Sequence, residues 1–405
     1  MNKVLGLILL LLTPSLHLLG QAHETVLHSF GSAGDGEYPN GGLVFVSGSL
    51  YGTTVGGGSF KGGTVFELSP GSGGGWIETI LYNFCQSQGC PDGVGPEAGL
   101  IADSAGNLYG TTVGGGAYDG GTVFELSPER GGNWSQSIIW SLGEAGDGSG
   151  PSERLTFDTA GNLYGVAGGG PLGGGVVFKL SSGSSGWTES VLYSFCQTGG
   201  RKCTDGAAPG GGVSFDKVGN IYGTTSAGGF YNDGVLYELT PPTQGGVWGE
   251  NVLYTFLPES GVNPLSKVNF DSSGNAYVTA SGGKGSATCG SVMRFTPQAG
   301  GGGTKTSVLF GLGDIACGPR SGVFIDPKNG TIYGSATSGG SEGGGSIYKI
   351  VGHTLSQVYG FCSLANCADG ELPDGSLTAD RDGNLYSNTN RGGEYGFGVV
   401  FELTP

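Results

Sequence analysis

The chain has 405 residues, 89 of them Gly and 18 Pro, so these two types make up about a quarter of it, roughly twice the usual share. With 37% hydrophobic and 10% aromatic residues gathered into short, evenly spaced clusters, it has enough apolar material to bury a core, which excludes a low-complexity disordered chain. The 17 basic and 33 acidic residues give a formal charge of -16, which repels phosphate backbones and anionic lipid and excludes nucleic acid as an expected partner.

Residues 1–22 have the pattern of a secretory signal. Lys3 supplies the positive start, Val4 to Leu12 the apolar core, and Gly20-Gln21-Ala22 the small residues of a cleavage site, so cleavage is expected near Ala22. No later stretch approaches about 18 consecutive apolar residues, and no membrane insertion is expected. The expected location is secreted, periplasmic or extracellular, where disulfides persist.

From His23 onward the chain is a tandem repeat. The phrase Gly-Asn-Leu-Tyr-Gly or a near relative recurs with its aromatic residue at Tyr51, Tyr109, Tyr164, Tyr222, Tyr277, Tyr333 and Tyr386, about every 55 residues. Each unit has four apolar runs of strand length, all too short for a helix, separated by Gly, Asp, Ser and Pro. In the second unit these runs are Gly99 to Asp103, Asn107 to Thr112, Thr122 to Ser127 and Ser137 to Leu142. The turn Asp103 to Gly106 fits a tight hairpin, and Asp158, Asp216, Asp271, Asp326 and Asp380 mark its equivalents. The pattern predicts an all-β, seven-bladed β-propeller with four antiparallel strands per blade, as a single domain over residues 23–405.

The fourth run of a unit reads aliphatic, aliphatic, aromatic, small, then Phe or Leu, as in Val191-Leu192-Tyr193-Ser194-Phe195. The last unit stops after its third run, Val399 to Leu403, while Val26-Leu27-His28-Ser29-Phe30 is a fourth run without a unit. The N-terminal strand is therefore expected to complete the last blade and close the circle.

The loops between second and third strands, and those between successive blades, are long and share one face, where binding is expected to reside. All eight Cys fall in them. Cys85 with Cys90, Cys196 with Cys203, and Cys362 with Cys367 are expected as local disulfides, and Cys289 with Cys317 as a bridge between neighbouring loops. Asp-Gly-x-x-Pro recurs at Asp35, Asp92, Asp147, Asp205 and Asp369, which would set five carboxylates around the channel mouth. Ca²⁺ accepts an all-oxygen donor set, but turn chemistry accounts for Asp-Gly without a cation, and no cofactor is expected. Phe60, Tyr118, Phe230, Tyr231 and Tyr395 stand among Gly-rich loops, either as ligand-stacking surfaces or as rings folded back onto neighbouring blades.

Other motifs carry less. The Gly clusters lack the Lys-Ser/Thr of a phosphate loop, and three His after residue 22 do not support a Ser-His-Asp grouping. Trp76, Trp134, Trp187 and Trp248 recur at one place and read as blade packing. Glu67, Glu125, Lys179, Glu238, Arg294, Lys349 and Glu402 share one slot of the third strand and are expected to be solvated or paired across blades.

The segment Gly106-Asn107-Leu108-Tyr109-Gly110-Thr111-Thr112-Val113-Gly114-Gly115-Gly116, followed by Gly121-Thr122-Val123-Phe124-Glu125-Leu126, resembles the GloVer tandem repeat named for Gloeobacter and Verrucomicrobia. Units five and six depart from it with Ala276-Tyr277-Val278 and Ile332-Tyr333-Gly334. The resemblance implies an exported bacterial repeat protein and carries no established activity. The Asp-x-x-Gly-Asn turns are also similar to those of NHL-type propellers. The resulting expectation is a secreted binding scaffold for a glycan or an extracellular protein, with no catalysis assigned. A carbohydrate-active hydrolase or lyase using acidic loop residues, and a structural cell-envelope protein, are the alternatives.

Overall fold

In a computed structural model, which describes residues 22–243, 246–285, 288–297 and 304–405, the short apolar runs form strands that pair in chain order. No α-helix occurs among the described residues. Six sheets are four-stranded meanders, such as Ile101–Ala102, Leu108–Thr112, Thr122–Pro128 and Trp134–Ser141 in blade 2. The fourth strand begins three residues earlier than the sequence suggests, because Trp134 pairs with Pro128. In the seventh sheet, His23–Ser29 pairs antiparallel with Val399–Thr404, from His23 opposite Thr404 to Ser29 opposite Val399. The chain is thus a closed seven-bladed propeller, with first strands innermost and fourth strands outermost. The expected leader lies outside the described residues apart from Ala22.

The Gly of the repeat phrase answers a packing demand in most blades. In five blades the Gly of Tyr-Gly lies opposite the third-strand aromatic, as Gly52 opposite Phe66 and Gly110 opposite Phe124, where a Cβ would collide with the ring, whereas blade 7 holds Ser387 opposite Phe401. Blade 5 has Val278 in that place, opposite the slimmer Met293. The departure from the repeat phrase is therefore a compensated exchange. In the adjacent register, second-strand Tyr residues oppose the charged third-strand slot within the same blade. Tyr51 donates to Glu67 at 3.0 Å, Tyr222 donates to Glu238, and Lys179 lies 5.5 Å from the Tyr164 ring centre. For Glu67, Glu238 and Lys179 the partner therefore lies within the blade rather than across blades.

Blades join through aromatic clasps. Tyr386 of blade 7 meets Phe45 and Trp76 of blade 1 at 5.8 and 6.2 Å, and Tyr109 of blade 2 meets Phe157 of blade 3 at 5.1 Å. Nearer the axis, second-strand hydroxyls cross to the next blade's backbone: Thr53 donates to Ala98 O, Thr279 to Ser321 O and Ser335 to Gly375 O. The innermost approaches are backbone to backbone. Gly41, at φ +73°, lies against Gly99, and Gly211, at φ +71°, against Ser266.

At the closure, Phe30 is fully buried in a cluster with Leu43, Phe66 and Val400, a burial that contributes about 1.5–3 kcal/mol. The Asp turns also form as read: the Asp103 carboxylate accepts from the amides of Ala105 and Asn107, and Gly106 has φ +89°. Asp326 differs, because its turn is one residue longer and closes on Thr331. Since a side chain at Gly41 is barred by both φ and the facing backbone, Gly41→Ala is expected to cost about 2 kcal/mol or more in a denaturant titration. A loss below about 0.5 kcal/mol would contradict this packing.

Candidate functional site: the long-loop face and the channel

The long loops are braced into one ordered face. All four expected disulfides are present: Cys85–Cys90, Cys196–Cys203, Cys289–Cys317 and Cys362–Cys367. In three of them the second cysteine also fixes a neighbouring Gly-rich loop through its carbonyl. Cys90 O accepts from Gly116 N at 3.0 Å, Cys203 O from Gly229 N at 2.9 Å, and Cys367 O from Gly393 N at 2.9 Å. Each of these glycines lies just before a loop aromatic, namely Tyr118, the pair Phe230 and Tyr231, and Tyr395. In blade 1, Asp35 O takes the same role toward Gly58, before Phe60.

These five aromatic residues do not fold back onto the blades. They are 46–66% exposed, and Leu172 of blade 3 occupies the same loop position with 51% exposure. Phe230 and Tyr231 touch edge to face at 5.0 Å, with the Lys202 ammonium 5.6 Å from the Phe230 ring. The others stand on separate blades, so the face is a broad apolar-studded surface rather than one cleft.

The five Asp-Gly carboxylates are placed differently from the expectation, because they do not ring the channel. Each turns outward to the preceding blade's fourth strand and accepts from its polar aromatic: His28 to Asp35, Tyr82 to Asp92, Trp140 to Asp147, Tyr193 to Asp205 and Tyr359 to Asp369, at 2.9–3.4 Å. Loop amides fill further lone pairs, as Gln197 and Thr198 do on Asp205. Internal variation confirms the pairing. Where the aromatic is Tyr254, its partner is Ser260; where it is Phe310, which has nothing to donate, the Asp slot holds Ile315 in the same apolar cluster.

A second carboxylate faces four of these Asp residues from the fourth strand of the blade that the loop enters. Burial, and then the neighbouring Asp, push Glu24 up to about 8 beside Asp369, and Glu78, Glu189 and Glu250 up to about 7 beside Asp35, Asp147 and Asp205. Each has a buried Oε1 without a partner. Blade 2 has Gln136 in this slot, donating to Asp92 O, so the site accepts a neutral side chain of this shape. His28, Asp35 and Glu78 bring three ligand-type atoms within 4.8 Å. The repeat explains this trio without a cation, since His28 takes the donor role of Tyr193 or Tyr359.

Because the folded state holds these protons more tightly than the unfolded chain, stability falls as pH rises from about 4.5 to about 8. The turn carboxylates act in the opposite sense. Partial burial alone would raise Asp103, but hydrogen bonds from Asn107, Ala105 and Tyr109 outweigh it and hold the carboxyl below its ordinary value, as at Asp158, Asp271 and Asp380. Their contribution is lost only on strong acidification. The melting temperature is therefore expected to peak on the mildly acidic side and decline toward pH 8, with Glu189→Gln and Glu250→Gln flattening the decline. A melting temperature that climbs from pH 5 to pH 8 would contradict the assignment.

Sequence reasoning missed the channel. The residues following each repeat Pro line a cavity of about 530 Å³ on the axis, with Glu97, Glu153 and Asp374 facing Arg154, Lys267 and Arg320. Arg154 spans two blades, donating to Leu100 O and Leu43 O at 2.9 Å, and Lys267 donates to Thr156 Oγ1 at 2.9 Å. Burial pushes Glu153 up to about 7, aided by Asp374 and Glu97 and opposed by a backbone hydrogen bond from Gly211. Burial, and then Arg154, pull Lys267 down to about 8. The available signal was variation: Asn40-Gly41-Gly42, Ser152-Glu153-Arg154 and Leu265-Ser266-Lys267 differ at positions where the flanking repeat is constant.

Closed circle, braced loop face and charged axial channel define a disulfide-stapled seven-bladed β-propeller. The chain belongs to the Gloeobacter/Verrucomicrobia repeat family, whose model matches residues 15–217 and 208–405. None of the curated proteins matches it. Among solved structures it is similar to PorZ of Porphyromonas gingivalis, described as an essential bacterial surface component of the type-IX secretion system. The TM-score is 0.55 at 14% identity, over 93% of this chain and 47% of PorZ. The chain spans about half the length of that protein, and the likeness is one of fold. Among the described residues, no helix is long and apolar enough to cross a membrane.

Proposed function

We propose that the protein is an exported binding scaffold whose long-loop face holds an extracellular macromolecule. The observation that carries this reading is the exposure of Phe60, Tyr118, Phe230, Tyr231 and Tyr395 on loops held by disulfides and backbone hydrogen bonds. Ordering large apolar side chains in water has no folding benefit, and preorganised aromatics supply contact area at low entropic cost on binding. Their spread over four blades suits a broad protein surface better than a short glycan in a cleft. Four disulfides fit export into an oxidising compartment.

Against the carbohydrate-active alternative, Asp35, Asp92, Asp147, Asp205 and Asp369 are already engaged by aromatic residues of the preceding blade's fourth strand. What favours it is the axial group of Glu97, Glu153 and Asp374, with Glu153 raised into the range of a general acid.

The test is a variant with all five aromatics changed to Ser, compared with the parent for cross-linking to proteins of the producing cell's surface and for retention on a polysaccharide array. The expected result is loss of a defined protein cross-link with an unchanged melting temperature. An identical cross-link in the variant would overturn the assignment of the face. Reducing-sugar release abolished by Glu153→Gln would support the enzyme instead.

A further inference from the structure

The aromatic clasp between blades has two arms. One is the end of the first strand, as Phe45, Phe157 and Phe215 show; the other is the Trp that opens the fourth strand. Trp76 and Trp134 enter opposite Pro70 and Pro128, and Trp187 opposite Ser182. They reach the Tyr of the preceding blade, Trp76 to Tyr386 and Trp134 to Tyr51, both at 6.2 Å. In blade 5 the same register places Thr304 opposite Pro297, and the sequence has no Trp there. Tyr222 of blade 4 keeps its first arm, Phe270 at 5.2 Å, and among the described residues no Trp supplies the second.

A cavity of about 630 Å³ opens at this junction, walled by Tyr222, Leu253, Phe270, Phe295 and Pro297. The two later junctions also lack a Trp, yet Leu355 and Ala22 pack into the clusters that hold Tyr277 and Tyr333. We propose that the cavity between blades 4 and 5 is a binding site for a small molecule carrying a planar aromatic group of indole size. The other junctions supply the template: Trp76 and Trp134 reach the clasp Tyr directly, and Trp187 and Trp248 pack against the clusters that hold Tyr109 and Tyr164. The volume falls within the ~300–1,000 Å³ of small-molecule sites, and the walls are mainly apolar and aromatic.

The polar atoms at the back of the site are already committed. Tyr222 donates to Glu238, which also accepts from Asn220 and Asn251. The ligand is therefore held by stacking and burial rather than by ionic pairing, and a neutral ring is preferred over a charged one. This site is separate from the long-loop face, because Asp216 to Gly219 and Asp271 to Gly274 at its rim are turns between first and second strands, on the opposite side of the disc.

The experiment titrates the full chain with indole itself, reading saturation transfer in NMR and intermolecular contacts to assigned ring protons. Saturable binding with contacts to Tyr222 and Phe270 is expected. Thr304→Trp, which restores the second arm, should weaken indole binding by about tenfold or more and raise the melting temperature. Absence of saturable binding, contacts to residues elsewhere, or undiminished affinity in a folded Thr304→Trp protein would each overturn the proposal. Should that variant not fold, the contact map of the parent protein decides alone. Failure here leaves the loop-face reading untouched, since the aromatic-to-Ser variant reports on the other side of the disc.

Discussion

The ladder between His23–Ser29 and Val399–Thr404 is the constraint on which the rest of the molecule depends. It joins segments almost the whole chain apart, and without it the third strand of blade 7 would be an open edge beside blade 1. Because the circle closes, each Tyr clasp has a neighbour on both sides, including Tyr386 against Phe45 and Trp76. Closure also brings Asn40 and Gly41 of blade 1 into the same channel wall as Asp374 and Ser376 of blade 7. The axial cavity and a continuous loop face exist only in the closed form.

On that frame, constancy and variation in the repeat divide the labour. Positions that recur serve packing: Gly52 and Gly110 make room for aromatic rings, and Asp92, Asp205 and Asp369 receive the hydrogen bond of an outer-strand Tyr. Positions that vary face the channel or the loop tips. The disulfides belong to both groups, since they staple loops whose carbonyls in turn fix the glycines before the exposed aromatics. Rigidity of the loop face is thus built from backbone bonds and covalent closures, with the aromatic side chains left free of structural duty.

Much of the fold was legible because its signals are local and repeated. Seven Tyr phrases gave the blade count, short runs gave the strands, and the orphan fourth run at Val26 to Phe30 gave the closure. Cysteine spacing gave three of the bridges, and the blade register, which sets two long loops side by side, gave Cys289–Cys317. The site was less legible. The direction in which Asp35 and its equivalents point depends on a His, Tyr or Trp 7 to 12 positions upstream in a separate strand. That link becomes visible only when Phe310 is seen against Ile315. The charged channel was hidden because Glu153, Arg154 and Lys267 come together across blades, from residues about 110 positions apart, and no local motif announces such a meeting. The cavity beside Tyr222 is legible in sequence only as a missing Trp, and its meaning required the register of Thr304 against Pro297.

The most direct test of the closed circle is removal of residues 23–30 followed by thermal unfolding and sedimentation analysis. The account predicts a large drop in melting temperature, together with self-association through the uncovered edge at Val399–Thr404. A monomeric protein with unchanged thermal stability would contradict it.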